Sequence, residues 1–463
     1  MKAKDKAVST VGNPFMSKWS GALPDETEEE TQERLQELQE AHKRSKEIDE
    51  FLQEGKRIID QRKRAVKILL LGQSESGKSS VLKNFQLAFA PRQFENERIV
   101  WKTIVQLNLI ATIKIILDAL KAEWESDSSL PRTPLGDPLP ASPARNLRRI
   151  RLGLSPLFFI EANLMKLLCP ETPDSRDVCV RAGSGWKALL SARRKSSPNR
   201  GDDLGRRRSQ VLNNENDPTF VLAAQRDDII SLWSDARVQE VLERKRLRLE
   251  NAPGFFMDDV ARIATLDYVP TDSDIIRARI RTVGIEEHHF VVEKGADANS
   301  DVFITDVGGS RSQRASWVPY FDDVQAILFL APLAFNQTLE EDPRVNRLED
   351  SLDLWKEICQ NKLLAHANLI LFFNKKDVLT ATLAAGVWVK KYVPSYADQP
   401  NDVIHVTKYF KNKFRSVHKH LSPIPRPFMC YETSAIDIDS MAVLLIGVRE
   451  SILRQHLREG DMI

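Results

Sequence analysis

The segment KILLLGQSESGKSS, residues 67–80, constrains the fold more than any other stretch of the 463 residues. An apolar run of strand length, KILLLG, breaks at once into a glycine- and serine-rich loop, and SVLKNFQLAF behind it has the composition of a helix. Strand, loop and helix in that order, with Gly72, Gly77, Lys78 and Ser79 filling a GxxxxGK[ST] pattern, form a cradle for phosphate. Across Glu75, Ser76, Gly77, Lys78, Ser79 and Ser80, backbone N–H groups and the helix N-terminus face the anion. Lys78 spans the terminal phosphates, and the Ser79 hydroxyl meets Mg²⁺. A glycine-rich turn without a ligand would leave these donors lacking an acceptor.

Three later motifs narrow the ligand. From Arg279 onward the apolar runs HHFVVE, VFITD, AILFLAPL, LILFF and FMCYE alternate with helix-length amphipathic stretches, which predicts a mainly parallel sheet with helices on both faces. Asn374-Lys375-Lys376-Asp377 closes LILFF, at the carboxyl end of a strand, where such sheets bind ligands. A carboxylate at Asp377 can accept from guanine N1–H and from its exocyclic amine, a donor pair adenine lacks. This opposes an ATP-using kinase. Thr433-Ser434-Ala435 follows FMCYE and offers a backbone N–H to the guanine oxygen. Asp306-Val-Gly-Gly309 follows VFIT, giving a carboxylate for the Mg²⁺ shell and a glycine N–H for the γ-phosphate.

The remaining chain is heterogeneous. Residues 1–25 lack periodicity and read as a disordered tail without the apolar run of a secretory signal. Residues 26–64 are charged and helical. Leu35, Leu38, Ala41, Ser45, Ile48 and Leu52 form one narrow stripe, which suits a docking arm, a paired helix or a plain solvated one. The apolar stretch Ile99–Leu120 is interrupted by Lys102, Gln106, Asn108, Lys114 and Asp118, so it reads as a helix buried in protein rather than a membrane span. Residues 125–155 and 170–217 are rich in Pro, Ser, Gly and Arg and read as loops. With 67 Lys+Arg against 65 Asp+Glu there is no global charge to draw nucleic acid, and the four cysteines show neither a CxxC pair nor metal spacing, which suits a reducing compartment.

Through GQSESGKSS, RARIRTVGI, DVGGSRSQRASW, FFNKKD and ETSA, over residues 26–124 and 218–463, the chain resembles heterotrimeric G-protein α subunits. The resemblance implies an α/β Ras-like GTPase domain (65–92 and 275–463), split by an inserted all-α helical domain (93–274) with loop insertions at 125–155 and 170–217. It implies an N-terminal helix (26–64) that docks the βγ dimer. It makes Arg279 the cis arginine that stabilises the transferring phosphoryl group, and Thr282 a third Mg²⁺ ligand beside Ser79 and Asp306. It also sets Asn251, Ile276, Arg277 and Ala278 against a GTP or GDP ligand. The partners implied are the βγ dimer, a seven-helix receptor gripping the C-terminal tail and an effector, with no nucleic acid. The implied location is the cytoplasmic face of the plasma membrane, reached as part of a heterotrimer.

The departures from the family pattern carry information. Ser310 stands where the family has the glutamine that positions the attacking water, and Ser74 replaces a P-loop glycine beside the transferring phosphoryl group. Both changes predict slow hydrolysis, with Arg279, Ser310 and Lys78 as the catalytic set. In the competing reading, another side chain or a water takes the glutamine's place. Residue 2 is Lys and no cysteine precedes Cys169, so the family's lipid anchors are missing and recruitment through βγ is expected. Met441–Leu457, with Leu444, Leu445, Val448 and Ile452 on one face, predicts a stiff helix from the guanine loop to the tail. Trp317 reads either as a partner-facing switch residue or as a core tryptophan. His288-His289 has no third ligand nearby, and the basic runs Arg193–Lys195 and Arg206–Arg208 read as solvated loop.

Overall fold

The computed structural model describes residues 27–127, 149–169, 178–183, 185–188, 190, 217–245, 247, 249–293, 298 and 300–460. The expected tail (1–25), most of both loop insertions, the two basic runs and residues 461–463 lie outside the described residues.

Two compact units divide at Ala65. The first holds α1 (Glu28–Arg64), a helix without proline whose Ile48, Phe51, Leu52 and Ile59 are exposed. Its side chains are mostly charged, so one thin apolar stripe is all it carries.

The second unit begins with β1 (Val66–Leu71), α2 (Lys78–Phe89) and α3 (Pro91–Asp127). There follow α4 (Ser155–Leu168), β2 (Cys179–Arg181), α5 (Pro218–Ala224), α6 (Arg226–Ser234), α7 (Ala236–Arg244), the single turn α8 (Val260–Ile263) and α9 (Asp272–Arg277). Then come β3 (Arg281–Val283), β4 (Ile285–Val291), β5 (Asp301–Val307), a 3₁₀ stretch Arg311–Tyr320 and β6 (Ala326–Pro332). The chain ends with α10 (Arg347–Gln360), β7 (Asn368–Asn374), α11 (Lys376–Ala384), α12 (Val403–Leu421), β8 (Met429–Glu432) and α13 (Ile438–Gly460).

Among the described residues, six strands form one sheet in the order β4-β5-β1-β6-β7-β8. Every pairing is parallel except β4 with β5. The central strands β6 and β7 are buried at every position, which is why they read as continuous apolar runs rather than alternating ones. Because β1, β5, β6 and β7 are parallel, the loops that follow them emerge at one edge of the sheet. The P-loop, the Gly308-Gly309 turn and Lys375–Asp377 sit in those loops, Thr433–Ala435 follows the parallel β8 at the same edge, and Arg279 and Thr282 come from the segment between α9 and β4.

Two hydrophobic clusters cover the two faces. One joins β6 and β7 to α10 and α12 through Phe329, Trp355, Phe373 and Phe414. The other joins β1 to α2 and α13 through Phe85, Phe89, Leu445, Val448 and Ile452. Burying that face of α13 ties the helix behind the Thr433–Ala435 loop to the helix behind the P-loop. Trp317 is 2% exposed, with its indole N–H donating to the Gly308 carbonyl, so it is a core side chain here.

A third cluster gathers Trp101, Ile104, Ile110, Leu164, Leu232, Phe256 and their neighbours from the helices between α2 and β3. Helix α3 is long and apolar enough to cross a membrane, yet 78% of its apolar window is buried within the protein. The structure differs from the sequence expectation in both loop stretches: residues 125–127 and 149–153 are helical, and a strand lies inside 170–217. Cys179–Arg181 is not loop but a strand, pairing in parallel with β3 from Cys179 opposite Arg281 to Arg181 opposite Val283. Arg281 N–H donates to Val178 O at 2.8 Å and Ala182 N–H to Val283 O at 2.9 Å, so both ends of the ladder are closed.

Candidate functional site

The P-loop turns between β1 and α2 through left-handed backbone at Glu75 (φ 60°) and Gly77 (φ 101°). Gly77 is required: a Cβ there would run into the Asn374 carboxamide. Asn374 is itself a cross-brace. Its Nδ2 donates to Ser76 O at 2.7 Å and its Oδ1 accepts from Ala435 N–H at 2.9 Å, so the P-loop and the Thr433–Ala435 loop are fixed to the end of β7 by one buried side chain.

Between these loops lies a cavity of about 350 Å³. On one wall stand Gly77, Lys78, Ser79 and Ser80; on another Asp377, Ser434 and Ala435; and facing them Arg279, Thr282, Asp306 and Gly309. Lys78 Nζ donates to the carbonyls of Gly72 and Gln73 at 2.8 and 2.9 Å, and burial lowers its pKa to about 8. The ammonium is buried against neutral acceptors, an arrangement that an incoming anion would improve. Asp377 accepts from the Ser434 hydroxyl at 2.8 Å, which fixes the carboxylate at the mouth of the cavity.

Asp306 is 2% exposed. Its Oδ2 accepts from Ser79 Oγ at 3.0 Å, whereas Oδ1 has no partner. Burial pushes its pKa up, against the pull of Lys78, Ser79 and Lys83. An orphaned buried carboxylate oxygen beside a serine hydroxyl, with Thr282 on the same cavity, is an all-oxygen donor set suited to Mg²⁺. That ion takes one or two carboxylates and completes its shell with water and phosphate. Among the described residues there is no cluster of three His, Cys, Asp or Glu. His289 pairs with Asp301 at 2.7 Å, and burial lowers His288 to about 3.

Arg279 is held at both ends. Its guanidinium pairs with Glu75, and its backbone is gripped by Asn108 of α3, whose Oδ1 accepts from Arg279 N–H at 2.6 Å and whose Nδ2 donates to Arg279 O at 2.9 Å. Burial alone would raise the Glu75 pKa, but Arg279, Arg347 and Lys375 outweigh it and hold the carboxylate below its usual range. Arg347 adds an ion pair to Glu75 at 3.0 Å and a bond to Ser74 O at 2.9 Å. Burial lowers Lys375 to about 8.

Not every sequence-singled residue reaches the cavity with its side chain. Ser76 is buried and contributes its carbonyl to Asn374, Ile276 its carbonyl to Ser80 Oγ at 3.2 Å, and Thr433 its carbonyl to Lys376 N–H at 3.1 Å. Asn251 lies in the short 3₁₀ turn Leu249–Asn251, between Glu250 and Ala252 of the wall. Arg277 and Ala278 line the cavity, and the Arg277 guanidinium donates to Phe255 O at 2.8 Å.

Ser310 is 5% exposed and outside the cavity lining, its hydroxyl donating to Gln313 Oε1 at 2.7 Å. Residues not anticipated from the sequence are Asn108, Gln313, Glu340 and the Pro253-Gly254 corner. Asn108 left a trace as a polar break in an apolar helix, and Gln313 as a glutamine three positions past Ser310; the other two left none.

A family model described as the G-protein alpha subunit matches residues 42–452. The chain is 29% identical to the guanine nucleotide-binding protein alpha-4 subunit of Mycosarcoma maydis, over 93% of this chain and 92% of that protein. It is 29% identical to a guanine nucleotide-binding protein subunit alpha of Candida albicans, over 90% and 97% of the two chains. To the human guanine nucleotide-binding protein subunit alpha-12 it is also 29% identical, over 91% and 90%.

Proposed function

The chain belongs to the G-protein alpha subunit family, and on that premise we propose that it is a GTP-hydrolysing switch whose turnover is slow. The observation that carries the reading is the convergence on one cavity of the phosphate cradle, the Asp377–Ser434 pair and Arg279. The phosphates would lie along the amides of residues 75–80, with Lys78 exchanging its two carbonyl partners for phosphate oxygens. Guanine would sit against Asp377 and Ala435. Ser79, Thr282 and Asp306 would hold Mg²⁺, which when bound neutralises the β- and γ-phosphate oxygens. Arg279 is parked on Glu75 and would turn to the transferring group; in this class a cis arginine accounts for roughly 2 kcal/mol or more of barrier lowering.

Slow turnover is supported by Ser310, whose short side chain is buried outside the cavity lining with its hydroxyl spent on Gln313, and by Ser74 in a P-loop glycine's place. A second reading, a GTP-binding scaffold with negligible turnover, rests on the same Ser310. Residues 93–274 serve in this proposal as the inserted helical domain, α1 as the βγ-docking helix, and α13 as the link from the guanine loop to a receptor. Effector contact and a place on the inner face of the plasma membrane complete the picture.

Competition binding of GTP against ATP, followed by single-turnover GTP hydrolysis, tests it. GTP must win the competition, and Ser310→Gln must hydrolyse faster than the parent chain. Preference for ATP sinks the guanine assignment, and a Ser310→Gln rate equal to the parent sinks the account of slow turnover. Hydrolysis indistinguishable from no enzyme, with tight GTP binding, favours the scaffold.

A further inference from the structure

We propose that Gln313 orients the attacking water in this chain, less effectively than a glutamine at position 310 would, so that turnover is slow but not absent; the proposal rests on the GTP-hydrolysing reading above. Ser310 and Gln313 are one turn of the 3₁₀ segment apart, and Gln313 N–H donates to Ser310 O at 2.9 Å, which fixes their relation. The side chains divide the work. Ser310 is buried off the cavity, whereas Gln313 is half-buried and lines it together with Arg279, Thr282, Gly308 and Gly309.

Its carboxamide lies directly over Gly308, in the space a Cβ there would need, with Nε2 2.9 Å from that point. The Ser310 hydroxyl, which also meets Ser312 Oγ at 3.2 Å, donates to Gln313 Oε1 and so settles which end of the amide faces which way. One lone pair of Oε1 is taken. The second lone pair and the Nε2 donors remain, and among the described residues Nε2 has no acceptor. That is the inventory needed to accept one hydrogen bond from a water and donate another beside it.

The step it serves balances as follows. The water oxygen forms a bond to the γ-phosphorus while the bond from phosphorus to the β,γ-bridging oxygen breaks, and that electron pair leaves on GDP. The water protons end on the released phosphate. A carboxamide takes no proton in this sequence; it only fixes where the water stands, which is the part that proximity and orientation play in such reactions. Ser310 is then a positioning residue, acting through Gln313.

Single-turnover hydrolysis and GTPγS affinity, measured on the full-length chain, test this together. Gln313→Ala is expected to slow hydrolysis about tenfold or more while GTPγS affinity stays within about twofold. Ser310→Ala, which removes only the holder, should give a smaller loss. In a Ser310→Gln background the Gln313→Ala change should cost less than about threefold, because position 310 then supplies the carboxamide; a merely structural Gln313 would cost the same in both backgrounds. Parent-level hydrolysis by Gln313→Ala with intact GTPγS binding overturns the proposal and leaves the GTP switch standing. Failure of the parent chain itself to bind GTPγS overturns both.

Discussion

The grip of Asn108 on Arg279 offers a sharp perturbation, because it acts on the arginine proposed to stabilise the transferring phosphoryl group without touching the cavity's charges. Asn108 is 5% exposed and makes two well-formed bonds, at 2.6 and 2.9 Å, to the backbone on either side of the Arg279 Cα. Replacing it by alanine removes both bonds from half-buried backbone groups. Each lost bond costs about 1 kcal/mol net and more where water cannot reach, so the pair amounts to roughly 2–3 kcal/mol. At 1.4 kcal/mol per tenfold, the balance between the held and released segment shifts by about 30- to 100-fold. Asn108→Ala should therefore release a fluorescent GDP analogue faster, by up to that factor, and slow single-turnover hydrolysis. A variant that melts earlier yet releases GDP and hydrolyses GTP at the parent rates would refute the reasoning, since the clamp would then support the fold and nothing else.

Other outcomes follow from single contacts. If Asp377 reads the guanine edge as proposed, Asp377→Asn replaces an acceptor by a donor there and affinity should move from guanine toward xanthine nucleotides, which carry a carbonyl in place of the amine; competition binding reads this. Ala182→Pro removes the N–H that donates to Val283 O at 2.9 Å, and hydrogen exchange of the amides at 281–283 should quicken by roughly 10- to 100-fold. His418 is buried against Trp355, and burial lowers its pKa to about 4. The folded chain thus binds fewer protons there than the unfolded one between pH 6.5 and 4, and stability falls with pH in that window by at most about 1.4 kcal/mol per unit. His418→Phe should flatten that slope in urea melts taken at several pH values.

How much of this was readable beforehand depended on whether a signal was local. The strands β1, β6 and β7 announce themselves because a strand buried on both faces must be apolar throughout, whereas β5 alternates and β8 is a short half-buried edge strand, each marked by the motif behind it; the loop motifs inherit their positions from the strands. Asp306, Asp377 and Lys78 needed only that frame. Strand β2 was not legible: three residues in a polar, proline-rich stretch have no pattern of their own, and what makes them a strand is a partner distant in sequence. Asn108 was visible only as an interruption, since its use depends on Arg279 arriving from elsewhere. Ser310 was noticed for the side chain it lacks, and the residue it holds, Gln313, emerges only when the 3₁₀ turn brings them together.

The β2–β3 ladder also changes what an insertion means in this chain. Extra residues in a surface loop usually dangle from two fixed ends and leave the machinery beneath indifferent to their length. Here the enlarged stretch comes back and is stitched, hydrogen bond by hydrogen bond, to the residues that flank Thr282. Trimming it would unpick a seam rather than remove an ornament, and lengthening or shortening it would pull on the strand that carries Thr282.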